Sequence, residues 1–177
     1  MKKIFLFLLF AVTAGSALSQ KNDYTVSFDG IGKLKLGMGK AELEKLLQVK
    51  FVLKHIHVDE VYVETVQAKY LGKDVALYLM RSEDKIAVLE SITVTDLLFK
   101  TADNTGIGTD QSTIVNKYED QLLIIHPEYS EDPTIRNRTT IILAKIDSYR
   151  DAIIFTMVNK KVVEITVGPT PQFRDRE

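Results

Sequence analysis

The chain has 177 residues, a formal net charge of −1 and no cysteine. Without cysteine no disulfide can stabilise the fold, and lipid attachment through an N-terminal cysteine is excluded. The balance of 23 basic against 24 acidic residues, without a basic cluster, argues against nucleic acid or an anionic membrane as a partner. Stability must therefore come from a hydrophobic core.

The first twenty residues predict a secretory signal peptide. A positive start at Met1–Lys3 precedes the unbroken apolar run Ile4–Val12, and the small residues of Ala14–Ser19 suit a cleavage site before Gln20. The apolar run is about half the ~20 residues that a bilayer-spanning helix needs. We expect a mature chain that is periplasmic or secreted and not membrane-spanning; an uncleaved anchor is the alternative.

Two segments of the chain resemble each other at a spacing of 71 residues. The shift aligns Leu36 with Ile107 and Gly37 with Gly108. Both segments read as an apolar-glycine turn followed by a short amphipathic helix.

The two predicted helices have local start signals. Asp110 is a good N-cap, because its carboxylate can accept hydrogen bonds from the first-turn N–H groups. Gly39 holds the equivalent place in the first segment, where Glu42 supplies half of a capping box. The apolar stripes that follow are Leu43, Leu46 and Leu47 in the first helix and Ile114, Val115 and Tyr118 in the second.

Three extended runs follow each helix, and all but the first, which has apolar residues on both sides, alternate apolar with polar residues. They are Val61–Tyr70, Val75–Met80 and Ile86–Thr95 after the first, and Thr139–Ile146, Ala152–Val158 and Val162–Val167 after the second. Leu71–Asp74 and Asn159–Lys161 read as hairpin turns. The run Leu122–Ile125 is buried helix or strand, and residues 49–56 allow either structure.

We therefore predict the α+β class, with two repeats of a short helical segment followed by a three-stranded antiparallel meander. The expected organisation is a signal peptide at 1–19, a first repeat at 20–100, a second at 101–168 and a polar tail at 169–177. The alternative is that two ordinary helix-then-hairpin stretches share a glycine-rich start.

The stretch Gly32–Met38, followed by Glu42-Leu43, resembles the start of small outer-membrane assembly lipoproteins of the SmpA/OmlA (BamE-like) type. Its tandem use resembles the β-lactamase-inhibitor-protein (BLIP-like) fold. The resemblance implies a binding role, in envelope assembly or in inhibition of a target protein. The chain departs from the first family by lacking the lipid-bearing cysteine and from the second by lacking all cysteines. No target-binding residue can be transferred from either.

The best candidate for chemistry is the segment His55–Asp59. In a strand the side chains of His55, His57 and Asp59 point to one side, and His-x-His is a metal-site spacing. His126 is the only other histidine. A solvated strand face explains the pattern equally well, so a metal-dependent hydrolase is an alternative and not the leading hypothesis. The acidic pairs fall at expected turns or helix ends, and no nucleophile, zinc or phosphate-loop motif occurs. We expect no cofactor and no catalytic residue.

The remaining functional signal is a set of aromatic and methionine side chains. Tyr78 and Met80 alternate with apolar core positions, and Tyr62 or Tyr70 could join them. Such a face suits a protein partner or the seam between the two repeats. We expect a non-catalytic binding protein that engages an envelope or extracellular protein through a sheet face or inter-repeat groove. A carrier of a small apolar ligand is a further alternative.

Overall fold

The computed structural model describes residues 23–53, 56–58, 61–82, 87–128, 137–145 and 148–169. The expected signal peptide and residues 170–177 of the expected tail lie outside these ranges. The helices are α1 (Lys40–Leu47) and α2 (Gln111–Lys117). The strands are β1 (Thr25–Ser27), β2 (Gly30–Ile31), β3 (Leu34–Lys35), β4 (Ile56–Val58), β5 (Val61–Tyr70), β6 (Lys73–Ser82), β7 (Val88–Val94), β8 (Lys100–Thr101), β9 (Leu122–Pro127), β10 (Arg138–Lys145), β11 (Ser148–Val158) and β12 (Lys161–Gly168).

The main feature of the fold is an eight-stranded antiparallel sheet. Its strand order is β4-β5-β6-β7-β12-β11-β10-β9, and a small four-stranded sheet has the order β3-β2-β1-β8. The predicted class, α+β with two helix-plus-three-stranded-meander repeats, is wrong. The described chain is mostly β, its helices span only 8 and 7 residues, and β7 pairs with β12 so that the meanders merge into one sheet.

The positions of the long strands were nevertheless predicted from the sequence pattern. β5 has the predicted bounds, and the other five predicted strands are found with ends shifted by a few residues. Leu71 and Gly72 form the turn between β5 and β6, both with positive φ, as a two-residue hairpin requires. The undecided run at Leu122 is strand β9, and residues 49–53 have no regular structure.

The helix starts agree with the sequence only in part. Gly39 caps α1, and its N–H donates to the Glu42 carboxylate at 3.1 Å, which confirms the half capping box. Asp110 caps α2 through backbone conformation alone, so the predicted side-chain cap is wrong. Its carboxylate instead accepts from Nζ of Lys161 at 3.0 Å, a partner distant in sequence.

Two glycine turns attach the helices to the sheet in the same way. The Gly37 N–H donates to the Leu89 carbonyl at 2.7 Å, and the Gly108 N–H donates to the Val162 carbonyl at 2.8 Å. Their φ angles are +80° and +84°, a region that L side chains rarely adopt. Each turn thus joins its helix to the last strand of its half, β7 or β12.

The main core lies between one face of the large sheet and the two helices. Leu43 of α1 and Ile114 of α2 belong to the same buried cluster as the inward side chains of the central strands. The largest fully buried side chains are Phe99, Phe155, Ile31, Leu34, Leu43, Leu77, Leu79, Leu89, Ile92, Ile114, Ile141 and Leu143. Because the central strands use this face for packing, the surface that they offer lies on the opposite face.

The small sheet closes one end of this core. The ring of Tyr24 meets that of Phe99 edge-on, with centroids 5.4 Å apart. The hydroxyl of Tyr70 accepts a hydrogen bond of 3.0 Å from the N–H of Lys33, in the turn between β2 and β3. Tyr70 therefore ties the large sheet to the small one.

A candidate partner-binding face

A continuous line of side chains crosses the middle of the large sheet on the face opposite the helices. The backbone register pairs Gln67 with Ala76, Ala76 with Thr93, and Thr93 with Thr166, so that one line runs over β5, β6, β7 and β12. In β6 these positions alternate with Val75 and Leu77 of the core, which fixes the face to which they belong.

A second line lies beside the first. The register pairs Thr65 with Tyr78 and Tyr78 with Ser91, and it pairs Met80 with Val88. Tyr78 and Met80 are half-buried, whereas Thr65 is exposed. We call the combined set the open patch, and it consists of Thr65, Gln67, Ala76, Tyr78, Met80, Ser91, Thr93 and Thr166.

The centre of the open patch is the junction between the two halves of the sheet. There the hydroxyl oxygens of Thr93 and Thr166 lie 2.8 Å apart and share a hydrogen bond. The sequence pattern places Thr166 on the face opposite the core, but sequence reasoning did not predict the contact between the two threonines. The signal was present, because Ile92-Thr93-Val94 repeats as Ile165-Thr166-Val167.

The open patch carries no charged side chain. The nearest charged residue is Glu90, the half-buried extra residue of the β-bulge opposite Tyr78 and Leu79. Glu164 lies two residues before Thr166 on the same face of β12, and Lys69 and Asp74 form an ion pair of 2.8 Å at one end of the patch. Depletion of charge together with tyrosine and methionine is the composition of the central part of protein interfaces. The only ionisable group in the open patch is the Tyr78 hydroxyl.

The centre of the other half of the same face is buried. Ile142, Ala152 and Ile154 form a second apolar cluster there and are only 2%, 0% and 8% exposed. Further along, Thr140 donates to Glu128 at 3.2 Å and Thr156 donates to Glu164 at 3.3 Å. These hydroxyl–carboxylate contacts satisfy one another, so on this face of the central strands the partly exposed aromatic surface lies in the open patch, and the partly exposed Leu122 and Ile124 lie at the β9 edge.

The predicted partner-binding residues do not converge. Tyr78 and Met80 lie in the open patch, but Tyr70 is 3% exposed and points into the core, where burial raises the pKa of its hydroxyl. The register pairs Tyr62 with Arg81, in the same alternating set as Tyr70, and the Tyr62 side chain lies outside the described part. Sequence alternation alone could not separate these tyrosines, because β5 carries apolar residues on both faces.

The strand order separates His126 from the predicted histidine metal site. His55 and Asp59 lie outside the described residues, and of His57 only the backbone is described, in β4 opposite Tyr62. His126 lies in β9, seven strand spacings away at the other edge of the sheet, or roughly 30 Å. It therefore cannot join His57 in one site. Among the residues with described side chains, no group of three His, Asp or Glu side chains could hold a metal ion.

The most connected titratable cluster holds a loop in place. The hydroxyl of Tyr118 donates to the carboxylate of Asp103 at 2.8 Å, and Thr101 donates to the same oxygen. Burial acts to raise the pKa of Asp103, but these hydrogen bonds and Lys117 outweigh it and lower that pKa below its ordinary value. The cluster closes the loop between β8 and α2, and its groups are committed to one another.

A polar cavity of about 470 Å³ lies beyond the end of the β9–β10 pair. It is lined by Gln111, Pro127, Glu128, Asn137, Arg138, Thr139, Asn159 and Lys160. This lining contrasts with the apolar cavity that the carrier hypothesis needs. That hypothesis therefore gains no support from this cavity.

Comparison of the chain with protein-family models, with curated proteins and with solved structures finds no match. The resemblance to the two envelope-related families therefore stays a prediction. Within the described part of the chain, no helix has the length and apolar character needed to cross a membrane.

Proposed function

We propose that this protein is an exported, non-catalytic binding protein that engages another protein of the envelope or the extracellular space through the open patch. One observation carries the proposal. In the middle of the sheet, an uncharged set of side chains that includes a half-buried tyrosine and methionine is accessible except at Ser91, whereas Ile142, Ala152 and Ile154 on the other half of the same face are buried.

The backbone beneath the open patch favours binding. β6 and β7 are interior strands, paired on both sides, so their side chains stand on a backbone fixed by ladder hydrogen bonds. A partner that docks on such a surface loses little conformational entropy in ordering it. Tyrosine and methionine add contact area, and the threonine hydroxyls add hydrogen-bonding groups at the centre.

The chemistry of the open patch supports binding over catalysis. General acid–base catalysis needs a group that titrates near the working pH, and nucleophilic catalysis needs an activated nucleophile. None of the open-patch side chains is a carboxylate or an imidazole, and the neighbouring Glu164 accepts a hydrogen bond from Thr156, outside the patch. The predicted signal peptide supports the location outside the cytoplasm.

Site-specific photo-crosslinking in cells that make the protein tests the proposal. A photoreactive amino acid replaces Gln67, an exposed residue of the open patch, and in a matched strain it replaces Ser112, an exposed residue of α2. We expect a discrete protein adduct from position 67 and none from position 112. Equal adducts from both positions, or none from position 67, would contradict the proposal.

Titration with the purified adduct partner then measures the contribution of the open patch. Thr166→Lys places a charge at the centre of the surface, and Thr113→Lys places the same charge on an exposed position of α2. Since a lysine at an interface centre must be desolvated and obstructs the partner, we expect at least about a tenfold weaker Kd for the first variant only. An unchanged Kd for Thr166→Lys would exclude the open patch as the interface.

A further inference from the structure

Strand β9 forms one outer edge of the eight-stranded sheet and pairs only with β10. Within the described residues, no other backbone hydrogen bond involves Leu122–Pro127. In an antiparallel ladder, alternate residues of an edge strand point their N–H and C=O groups away from the sheet. β9 therefore presents a row of hydrogen-bonding groups along its free side.

The side chains of β9 are apolar on both faces. By register, Leu123 and Ile125 share the face of the main core, and Leu122 and Ile124 share the opposite face with the second apolar cluster. Ile125 is 42% exposed although it is a large aliphatic side chain. No residue from Leu122 to Pro127 is Lys, Arg, Asp or Glu.

An edge of this kind is a strand-pairing surface. Monomeric proteins protect their sheet edges with short strands, charged side chains or a proline within the strand. The opposite edge of the sheet follows this rule, because β4 has only 3 residues. β9 has 6 residues, and its only protective feature is Pro127 at the last position.

We propose that two copies of this chain pair antiparallel through β9, so that their eight-stranded sheets form one continuous sheet across a two-fold axis. Two-fold symmetry sets each edge against an identical edge. A charged edge would then meet its own charge, whereas the neutral and apolar β9 meets an apolar strand on both faces. The composition of β9 therefore suits a second copy as its occupant.

The dimer leaves the open patch accessible. β9 lies three strand spacings from β12, the nearest strand that contributes to the open patch, or roughly 15 Å. Pairing at this edge adds backbone hydrogen bonds and covers Ile125, but it does not approach Thr166. Dimerisation and partner binding are therefore separable by mutation.

Sedimentation velocity on the mature chain, from low to high micromolar concentration, tests the proposal. We expect a concentration-dependent monomer–dimer equilibrium. Ile125→Lys should weaken the dimer by at least about tenfold, because it places a charged side chain on the edge strand that pairs with the second copy. The control is Val163→Lys, since Val163 is 40% exposed but lies on the interior strand β12.

Hydrogen exchange of the β9 amides distinguishes a loss of dimerisation from a loss of folding. In the wild type, protection of these amides should rise with protein concentration, whereas in Ile125→Lys it should not. The far-ultraviolet circular dichroism spectra of both variants should match the wild type. A chain that stays monomeric at all concentrations, or a dimer that Val163→Lys weakens as much as Ile125→Lys, would overturn the proposal.

Discussion

Thr93 and Thr166 join the two halves of the large sheet, with their hydroxyl oxygens 2.8 Å apart on the adjacent strands β7 and β12. Three consecutive register pairs connect these strands, so the junction is short. The threonine pair is therefore both the centre of the proposed binding surface and a contact on which the continuity of the sheet depends.

A double-mutant cycle measures this contact. Thr93→Val or Thr166→Val leaves the other hydroxyl half-buried without its partner, whereas the double variant removes both hydroxyls. We expect the double variant to be less destabilised than the sum of the singles by about 0.5–1 kcal/mol in urea unfolding. Thr93→Val combined with Thr113→Val, on the exposed face of α2, should instead be additive.

Substitution of the two turn glycines should lower the free energy of unfolding by equal amounts. Gly37→Ala and Gly108→Ala each force alanine to a φ near +80°, while the space around each new Cβ is open. Since only the backbone conformation is penalised, each variant should lose about 1–2 kcal/mol of the free energy of unfolding. Thermal unfolding should show similar losses for the two; a loss confined to one of them would mean that the turns are not equivalent.

The link between the two sheets is testable at Tyr70. Tyr70→Phe removes the acceptor of the Lys33 N–H and leaves the ring in the core. We expect a loss of about 1 kcal/mol in chemical unfolding. Tyr24→Phe is the control, because the Tyr24 hydroxyl donates at 3.2 Å to the Leu71 carbonyl in an exposed position. Its loss should be smaller.

The Asp103 cluster predicts a specific pH dependence. The pKa of Asp103 is lowered from its ordinary value of 3.8, so its ionised form stabilises the folded state above that value. This contribution should disappear as pH falls through the lowered pKa. Asp103→Asn should therefore be less stable than the wild type at neutral pH, and the difference should narrow below about pH 3.8.

The size of this effect is small, because the Asp103 side chain is 41% exposed and solvent screens its charge. We expect less than about 1 kcal/mol at neutral pH. Tyr118→Phe tests the same interaction from the donor side. It removes one hydrogen-bond donor to the Asp103 carboxylate and should reduce the same pH dependence. An acid-unfolding curve that Asp103→Asn leaves unchanged would contradict the assignment.

The sequence predicted elements whose signals are local. β5 is an extended run of ten residues that ends at the Leu71–Gly72 turn, and the hydrogen bond between Gly39 and Glu42 lies within one turn of α1. The strands β1, β2, β3 and β8 span only two or three residues, too few for alternation to be seen. They are held by pairing with one another and by packing on the core.

The misses involve contacts between distant residues. The Asp110 side chain was expected to cap α2, but its carboxylate accepts a hydrogen bond from Lys161, 51 positions away. The class was wrong because local patterns do not show whether a strand such as β7 ends a sheet or pairs with β12. Tyr70 and Tyr78 looked alike as aromatic residues in strands, and only the register assigns one to the core and the other to the open patch.

The strand order has a consequence for the time at which the molecule can assemble. β12 is the last strand of the described chain, yet it occupies the middle of the large sheet. In the small sheet, β1 pairs with β8, which follows much later in the chain. A polypeptide that emerges from a ribosome or a channel with its N-terminus first cannot complete either sheet early. Such long-range closure slows folding, and a half-emerged chain would expose β7 as an unpaired edge.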